Sequence, residues 1–564
     1  MTTNHNSVYP RPQLVRDSFF TLDGYWFLNG SKIRIPFPPQ SEASGYRGEV
    51  PERLVYEKQF FLPPEFCKGR VLLHFGAVDQ TAEVRLNDYF LGTHEGGYLP
   101  FSFDITEAIR SRPSDAHHSL RVEAEDTLSP EYPYGKQRKR RGGMWYTPVS
   151  GIWQSVWMES VPENHIRELK ITPDLTGVTL SLDTSSQCRG FTASVLLGNG
   201  QRITHSFSGN EGRIELKGAA LADDTLYSPR LWTPEDPWLY SLELTMGEDF
   251  VRSYFALRTV EIREIQGIRR VLLNGSPLFI HGVLDQGYFH DGIYLPADPG
   301  EYERDILRMK ELGFNLLRKH IKVEPEVFYH ACDRLGMLVM QDMVNSGTYS
   351  YLFDTVLPTL GFQKRRERRR PREEKRYAFF KEHTKATVKH LYNHPSIIAY
   401  TIFNEGWGQF DSDHLYDVIK TLDPSRLVDS TSGWFAQTKN DFDSRHIYFK
   451  VIPLSVGSRP LFVSECGGYS LKIPGHTYSP GGSYGYGTCR SSKELTKTIL
   501  HMYEHMILPF IKDGVCGCIY TQLSDVEDEI NGLYTYDRQV CKVLPEPMRE
   551  MAQRLYDAIC KITE

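Results

Sequence analysis

Two glutamates stand where strand-and-helix proteins do their chemistry. Residues 396–403 are β-branched and aromatic without polar alternation and lead into Asn404-Glu405-Gly406, while a shorter apolar run entered through Pro460 leads into Glu465-Cys466-Gly467-Gly468. Such runs read as strands covered on both faces, as in a parallel barrel or doubly wound sheet. Sheets of that kind bind ligands at the C-terminal ends of their strands. Two carboxyl groups on one such face suit hydrolysis of a glycosidic bond, one protonating the leaving oxygen while the other attacks or activates water. The competing reading is a pair of solvated or salt-bridged glutamates.

Further side chains at strand ends fit the same chemistry. Asn404 is expected to hydrogen-bond a sugar 2-hydroxyl, an interaction that strengthens as the oxocarbenium ion forms; a capping Asn in a tight turn is the alternative. Arg318 and His320 leave a strand on one face, where Arg318 could hold Glu465 bidentately and keep it ionised or pair with another acid. Asp285 and Asp342 end strands and could bind sugar hydroxyls or serve as caps and loop ion pairs. Trp407 and Trp434 follow strands and offer stacking platforms for sugar faces, or core packing. Gln522, at the end of the last strand, completes the set.

The elements that must carry these residues divide the chain in three. A length of 564 residues is too long for one core. Residues 1–162 show short strands between Gly, Pro and Asp punctuation, the pattern of a β-sandwich of jelly-roll type. Residues 163–262 repeat that texture at the size of an Ig-like β-sandwich. From 263 to 564 strands alternate with helices, as in a (β/α)8 TIM barrel. Its strands are expected at 277–283, 314–320, 336–343, 396–403, 426–432, 446–451, 460–466 and 515–523. Only 60 residues separate Glu405 from Glu465, leaving room for one real helix, at 412–422.

Composition excludes other classes. Apolar residues at 40%, charged residues at 24% and a net charge of -6 give no general attraction to nucleic acid or to a membrane surface. The first seven residues carry neither a basic nor an apolar segment, and no run reaches membrane-spanning length. Nine cysteines without paired spacing point to reduced thiols in a cytoplasmic protein. The basic run at 136–141, followed by Gly142-Gly143-Met144-Trp145-Tyr146, reads as a solvated loop or as a loop reaching the barrel mouth with Trp145 or Tyr146 as an aromatic wall. The run at 364–376 reads as a mobile loop over that mouth. Binding of a polyanion through both runs would fall steeply with salt.

Several motifs resemble glycoside hydrolase family 2: Asp79-Gln80-Thr81-Ala82-Glu83-Val84-Arg85-Leu86-Asn87, Phe314-Asn315-Leu316-Leu317-Arg318-Lys319-His320, Asn393-His394-Pro395-Ser396, Phe403-Asn404-Glu405 and the strand ending at Glu465. The resemblance implies a retaining exo-β-glycosidase with Glu405 as acid/base, Glu465 as nucleophile and Tyr448 donating to the nucleophile. Glucuronidases of the family hold the sugar carboxylate with Asn-x-Lys, where this chain has Asn531-Gly532-Leu533. The reading taken is therefore a terminal β-galactoside, ahead of a glucuronide, mannoside or galacturonide. No cofactor is expected, and no metal, because no acid-and-histidine set precedes Glu405. The partner is a glycoside, with homo-oligomerisation open. A carbohydrate-binding protein that has lost catalysis is the reading from another class, and the intact glutamates and Asn404 argue against it.

Overall fold

A computed structural model describes residues 9–561 apart from 68, 114, 221–224, 368, 480, 482 and 483. The first seven residues, read above for a leader, and Arg368 of the second basic run lie outside the described residues.

The first domain is a sandwich of a four-stranded and a six-stranded sheet. Alternation builds it: in His118–Glu125, Leu120, Val122 and Ala124 face inward, and the strand pairs antiparallel with Arg53–Phe60 so that Val122 meets Tyr56 and Ala124 meets Leu54. The second domain packs a three-stranded on a four-stranded sheet, with Tyr240, Leu242, Leu244 and Met246 of Tyr240–Met246 turned into its core. Each such side chain contributes roughly 1.5–3 kcal/mol by leaving water. Buried Arg16 joins the two sandwiches, reaching Glu159 at 2.9 Å and Asp249 at 2.8 Å.

The boundary expected at 262/263 falls inside a hairpin. Val260–Ile265 pairs with Ile268–Leu273, and Val260, Val271 and Leu273 pack with Ile280, Leu316, Leu338 and Met340 of the barrel. The hairpin thus packs on the barrel, its apolar face buried there together with Trp232 and Ala256 from the preceding segment.

The barrel strands are β1 (Ile280–Asp285), β2 (Leu316–Lys319), β3 (Leu338–Asp342), β4 (Ile397–Asn404), β5 (Leu427–Ser432), β6 (Asp443–Ile447), β7 (Leu461–Gly467) and β8 (Val515–Thr521). All paired neighbours are parallel, in the order 5-4-3-2-1-8-7-6. Among the described residues β5 and β6 share no backbone ladder. Side chains span that seam instead: the Ser444 hydroxyl meets Asp429 at 2.7 Å, and Ser432 meets His446 at 2.9 Å. The expected helix at 412–422 is present as Ser412–Leu422. Strand β6 begins three residues earlier than expected and ends at Ile447, so Tyr448 lies just beyond it. No helix among the described residues is long and apolar enough to cross a membrane.

Candidate active site

The two glutamates come together at one end of the barrel. Glu405 follows β4 with φ at +55°, a conformation that non-glycine residues adopt at a cost of about 1–3 kcal/mol. Its N–H donates to the Ser432 carbonyl at 3.0 Å. Gly406 follows, also at positive φ, and a Cβ there would fall 2.2 Å from the Phe435 ring. This strained turn aims Glu405 inward, toward Glu465 on β7. One carboxylate oxygen of each glutamate and one ring nitrogen of His446 all lie within 4.8 Å of one another.

Glu465 is held from two sides. Arg318, fully buried on β2, donates to Oε1 of Glu465 at 3.2 Å, to Oδ1 of Asn404 at 2.9 Å and to Oδ1 of Asp342 at 3.0 Å. The Tyr448 hydroxyl donates to Oε2 of Glu465, and its ring stacks on Tyr486 at 4.1 Å. Burial pushes the Glu465 carboxyl up, but His446, Arg318, His320 and Lys136 around it outweigh that and hold it at about 2, against an ordinary 4.5. With a guanidinium and a phenol on its oxygens, Glu465 is held as an anion beside Glu405.

His320 bonds through Nδ1 to Asp342 at 2.7 Å, and its buried Nε2 has no partner within the protein. Burial brings its pKa down to about 4, so the ring is neutral at physiological pH. Its Nδ1–H serves Asp342, which leaves Nε2 as an unpaired acceptor.

Four expected sugar contacts are placed otherwise. Asp342 spends both oxygens on Arg318 and His320; it orients these two side chains and does not face a sugar. Asp285 accepts from Lys319 and from the Gly287 N–H, the loop ion pair that was its alternative. Trp407 donates to the Gly347 carbonyl at 3.0 Å and packs edge-on against Trp145, Tyr134 and Tyr349, so its ring is core. Gln522 is fully buried between Gln286 and Asn531. Trp434 stands beside the site with its N–H on the Glu405 carbonyl at 3.0 Å and its ring edge-on to His446.

Two residues absent from the sequence-derived set belong here. His446 bonds through Nδ1 to Glu405 Oε1 at 2.8 Å. A strand's period of two puts it on the same face as Tyr448, and that was the available signal. Lys136 comes from the first sandwich, its carbonyl accepting from Tyr146 N–H at 2.9 Å, and its charge acts on His320, Glu465 and Glu529.

The basic loop at 136–141 does reach the barrel mouth. Tyr146 donates to Glu529, Thr147 N–H donates to Glu527 at 3.0 Å, and Arg141 pairs with Asp528 at 3.1 Å. The acid-rich segment after β8 is therefore the dock for the sandwich loop. The second basic loop is pinned as well, Arg365 donating to the Gly406 carbonyl and Arg376 to the Gly408 carbonyl, both at 3.0 Å.

Three family profiles match in series: "Glycosyl hydrolase 2 galactose-binding domain-like" over 31–169, "Glycosyl hydrolases family 2" over 164–258 and "Glycosyl hydrolases family 2, TIM barrel domain" over 262–454. The chain belongs to glycoside hydrolase family 2. Among relatives of this family 2 chain, a β-galactosidase of Aeromonas hydrophila subsp. hydrophila is 29% identical over 72% of the chain and 38% of its own length. Human β-glucuronidase is 23% identical over 67% of the chain and 59% of its own length. The chain thus spans well under two thirds of these relatives. A solved β-glucuronidase of Lactobacillus rhamnosus shares the fold, with a TM-score of 0.74 at 20% identity, over 96% of this chain and 98% of that one.

Proposed function

We propose that this chain is a retaining exo-β-glycosidase acting by double displacement. The observation that carries the reading is the approach of Glu405 and Glu465 oxygens to within 4.8 Å, which suits the roughly 5–5.5 Å carboxyl separation of retaining enzymes and leaves no room for the intervening water of an inverting one. Glu465, anionic between Arg318 and Tyr448, attacks the anomeric carbon. Glu405 gives its proton to the leaving oxygen and later takes one from water. Asn404, steadied by Arg318, is positioned for the 2-hydroxyl. The sandwich loop docked at Glu529 walls the mouth, which supports removal of a terminal sugar. Lack of any disulfide among the nine cysteines supports a reducing compartment such as the cytoplasm.

For the glycone we propose a β-galactoside, supported by the galactosidase relative and by Asn531-Gly532-Leu533 in place of Asn-x-Lys. One observation favours a uronide instead: the Lys136 side chain is near enough for its charge to act on both His320 and Glu465. A panel of chromogenic β-galactoside, glucuronide, galacturonide, mannoside and glucoside, with wild type and Glu465→Gln, decides. Turnover of one sugar, lost in the variant, is expected; Lys136→Met raises KM selectively if that sugar is a uronide. Turnover of none overturns the reading.

A further inference from the structure

The seam between β5 and β6 is filled by a continuous polar chain that ends on Glu405. From Glu405 Oε1 it runs to His446 Nδ1 at 2.8 Å, from His446 Nε2 to the Ser432 hydroxyl at 2.9 Å, from Ser432 to Ser464 at 3.0 Å, from Ser464 to Ser444 at 2.7 Å, and from Ser444 to Asp429 Oδ2 at 2.7 Å. Asp429 Oδ1 accepts from Asn440 Nδ2 at 3.0 Å. Asp429, Ser432 and Ser464 are fully buried, and the His446 side chain has no exposure. Among the described residues no cation pairs with Asp429. Closing the seam with apolar side chains would avoid the cost of burying so many polar groups, so the chain calls for a role beyond packing.

A hydroxyl donates one proton and otherwise accepts; Ser464 also lies 3.4 Å from the Arg445 carbonyl, but its contacts to Ser432 and Ser444 at 3.0 and 2.7 Å are shorter, and through them the three serines orient together. If Asp429 is ionised, every donor points toward it; His446 then donates from Nε2 and turns a bare Nδ1 lone pair on Glu405. Should Asp429 carry a proton, the chain runs the other way: Asp429 donates to Ser444, Ser432 donates to Nε2, and His446 donates from Nδ1 into Glu405 Oε1. Of the two neutral tautomers of His446, only the one in this second arrangement leaves the proton of Glu405 on its outer oxygen. It also serves both stages of a double displacement unchanged, because Oε1 accepts whether Glu405 is acid or carboxylate.

We propose that neutral Asp429, acting through Ser444, Ser464 and Ser432, fixes His446 as the Nδ1–H tautomer and thereby directs the proton of Glu405 toward the leaving group, with His446 and Asp429 as positioning residues. The proposal rests on the acid/base role read for Glu405. Burial raises the Asp429 carboxyl, favouring its neutral form. The other ionisable groups facing the chain are Glu465, Tyr448, Arg318, His320 and Lys136 around His446 and Glu405, with Tyr349, Tyr484 and Tyr486 also beside Glu405 and Cys516 beside Asp429.

The full-length chain tests this with two leaving groups on whichever glycone it hydrolyses. A dinitrophenyl glycoside departs without a proton, whereas a phenyl glycoside needs acid help, which is worth about a hundredfold or more. Ser444→Ala is expected to lose about tenfold or more on the phenyl substrate and little on the dinitrophenyl one, within the range of general-acid effects, and Ser444→Thr to restore the loss. Asp429→Asn, whose amide still donates to Ser444, is expected to outperform Asp429→Leu on the phenyl substrate and to move the alkaline limb of its pH profile upward. Equal losses on both substrates, or Asp429→Asn no better than Asp429→Leu, overturn the proposal. A second readout does not depend on turnover: nitrogen NMR of labelled histidine, assigned with His446→Asn, is expected to show the Nδ1–H tautomer in wild type and its loss in Ser444→Ala. An Nε2–H tautomer or an imidazolium in wild type overturns the proposal. Absence of any hydrolysis with the Nδ1–H tautomer present overturns the glycosidase reading alone.

Discussion

Nη1 of Arg318 lies 3.2 Å from Oε1 of Glu465 inside the barrel, on a guanidinium with no exposure to solvent. Its charge helps keep Glu465 at about 2. Arg318→Lys removes the planar fork that serves Asp342, Asn404 and Glu465 together and is not a conservative change. We expect kcat/KM to fall by about a hundredfold, in line with loss of a preorganised electrostatic contact. Arg318→Met goes further. The Glu465 carboxyl then titrates higher, and the acid limb of the pH–rate profile moves to higher pH; an unmoved limb contradicts the pairing.

The two glutamates are separable by what replaces them. In Glu465→Gly a small anion such as azide enters from the face the carboxylate occupied and yields the inverted glycosyl azide. With Glu405→Gly the glycosyl-enzyme still forms from an activated substrate, and azide then gives the retained anomer. Product NMR reads the outcome, and the same anomer from both variants rules out the assigned roles.

Five histidines each favour the folded state less as the solution is acidified. Burial lowers His74, His281 and His320 to about 4 and His383 and His390 to about 3, from an ordinary 6.5. Between those values the unfolded chain binds protons that the folded one does not, so their contribution is complete above about pH 6.5 and is lost as pH falls toward 4. Glu159 is different: it is held at about 2 from 4.5, and its contribution is lost only below 4.5. The buried carboxyls of Asp79 and Asp525 are raised and act in the opposite direction over the same range, so the histidines are read one by one: the NMR signals of His281 and His383 are expected to stay those of neutral rings down to about pH 5, and titration near 6.5 contradicts their burial.

Tyr146→Phe deletes one hydrogen bond between domains and leaves a buried oxygen of Glu529 without that donor. A destabilisation of about 1.5–3 kcal/mol is expected for a bond to a charged or chargeable group, measured by urea unfolding. Because Lys136 shares the loop, KM should rise while unfolding stays cooperative; a change in kcat alone would mean that the loop does not shape the glycone pocket.

How far the sequence carried this picture depends on local pattern. Glu405 and Glu465 were legible because continuous apolar runs bounded by proline and glycine reveal buried parallel strands, and the Ser412–Leu422 helix followed from the room left between them. Strand β6 was misjudged at its start. The expected strand starts only at His446, yet Ser444 and His446 face a polar seam, and binary patterning fails for a strand whose inner face is hydrophilic. His446 lies inside the expected strand, but its bond to Glu405 comes from a different strand's end, which local pattern does not reveal. Asp285 and Asp342 occupy the expected strand ends, but whether an acid there meets Lys319, Arg318 or a sugar depends on neighbouring strands. Trp407 likewise owes its burial to Trp145 of another domain.

The bond between Tyr146 and Glu529 joins residues 383 positions apart. During synthesis at about 5–20 residues per second, the first sandwich waits roughly twenty to eighty seconds for its counterpart to leave the ribosome. Tyr288 reaches Tyr146, and Tyr349 and Trp407 reach Trp145, before that interval ends, so the loop is covered in stages. The barrel mouth is among the last parts of the molecule to be completed, and a chain halted before Glu529 holds both glutamates without the acid on which the sandwich loop docks.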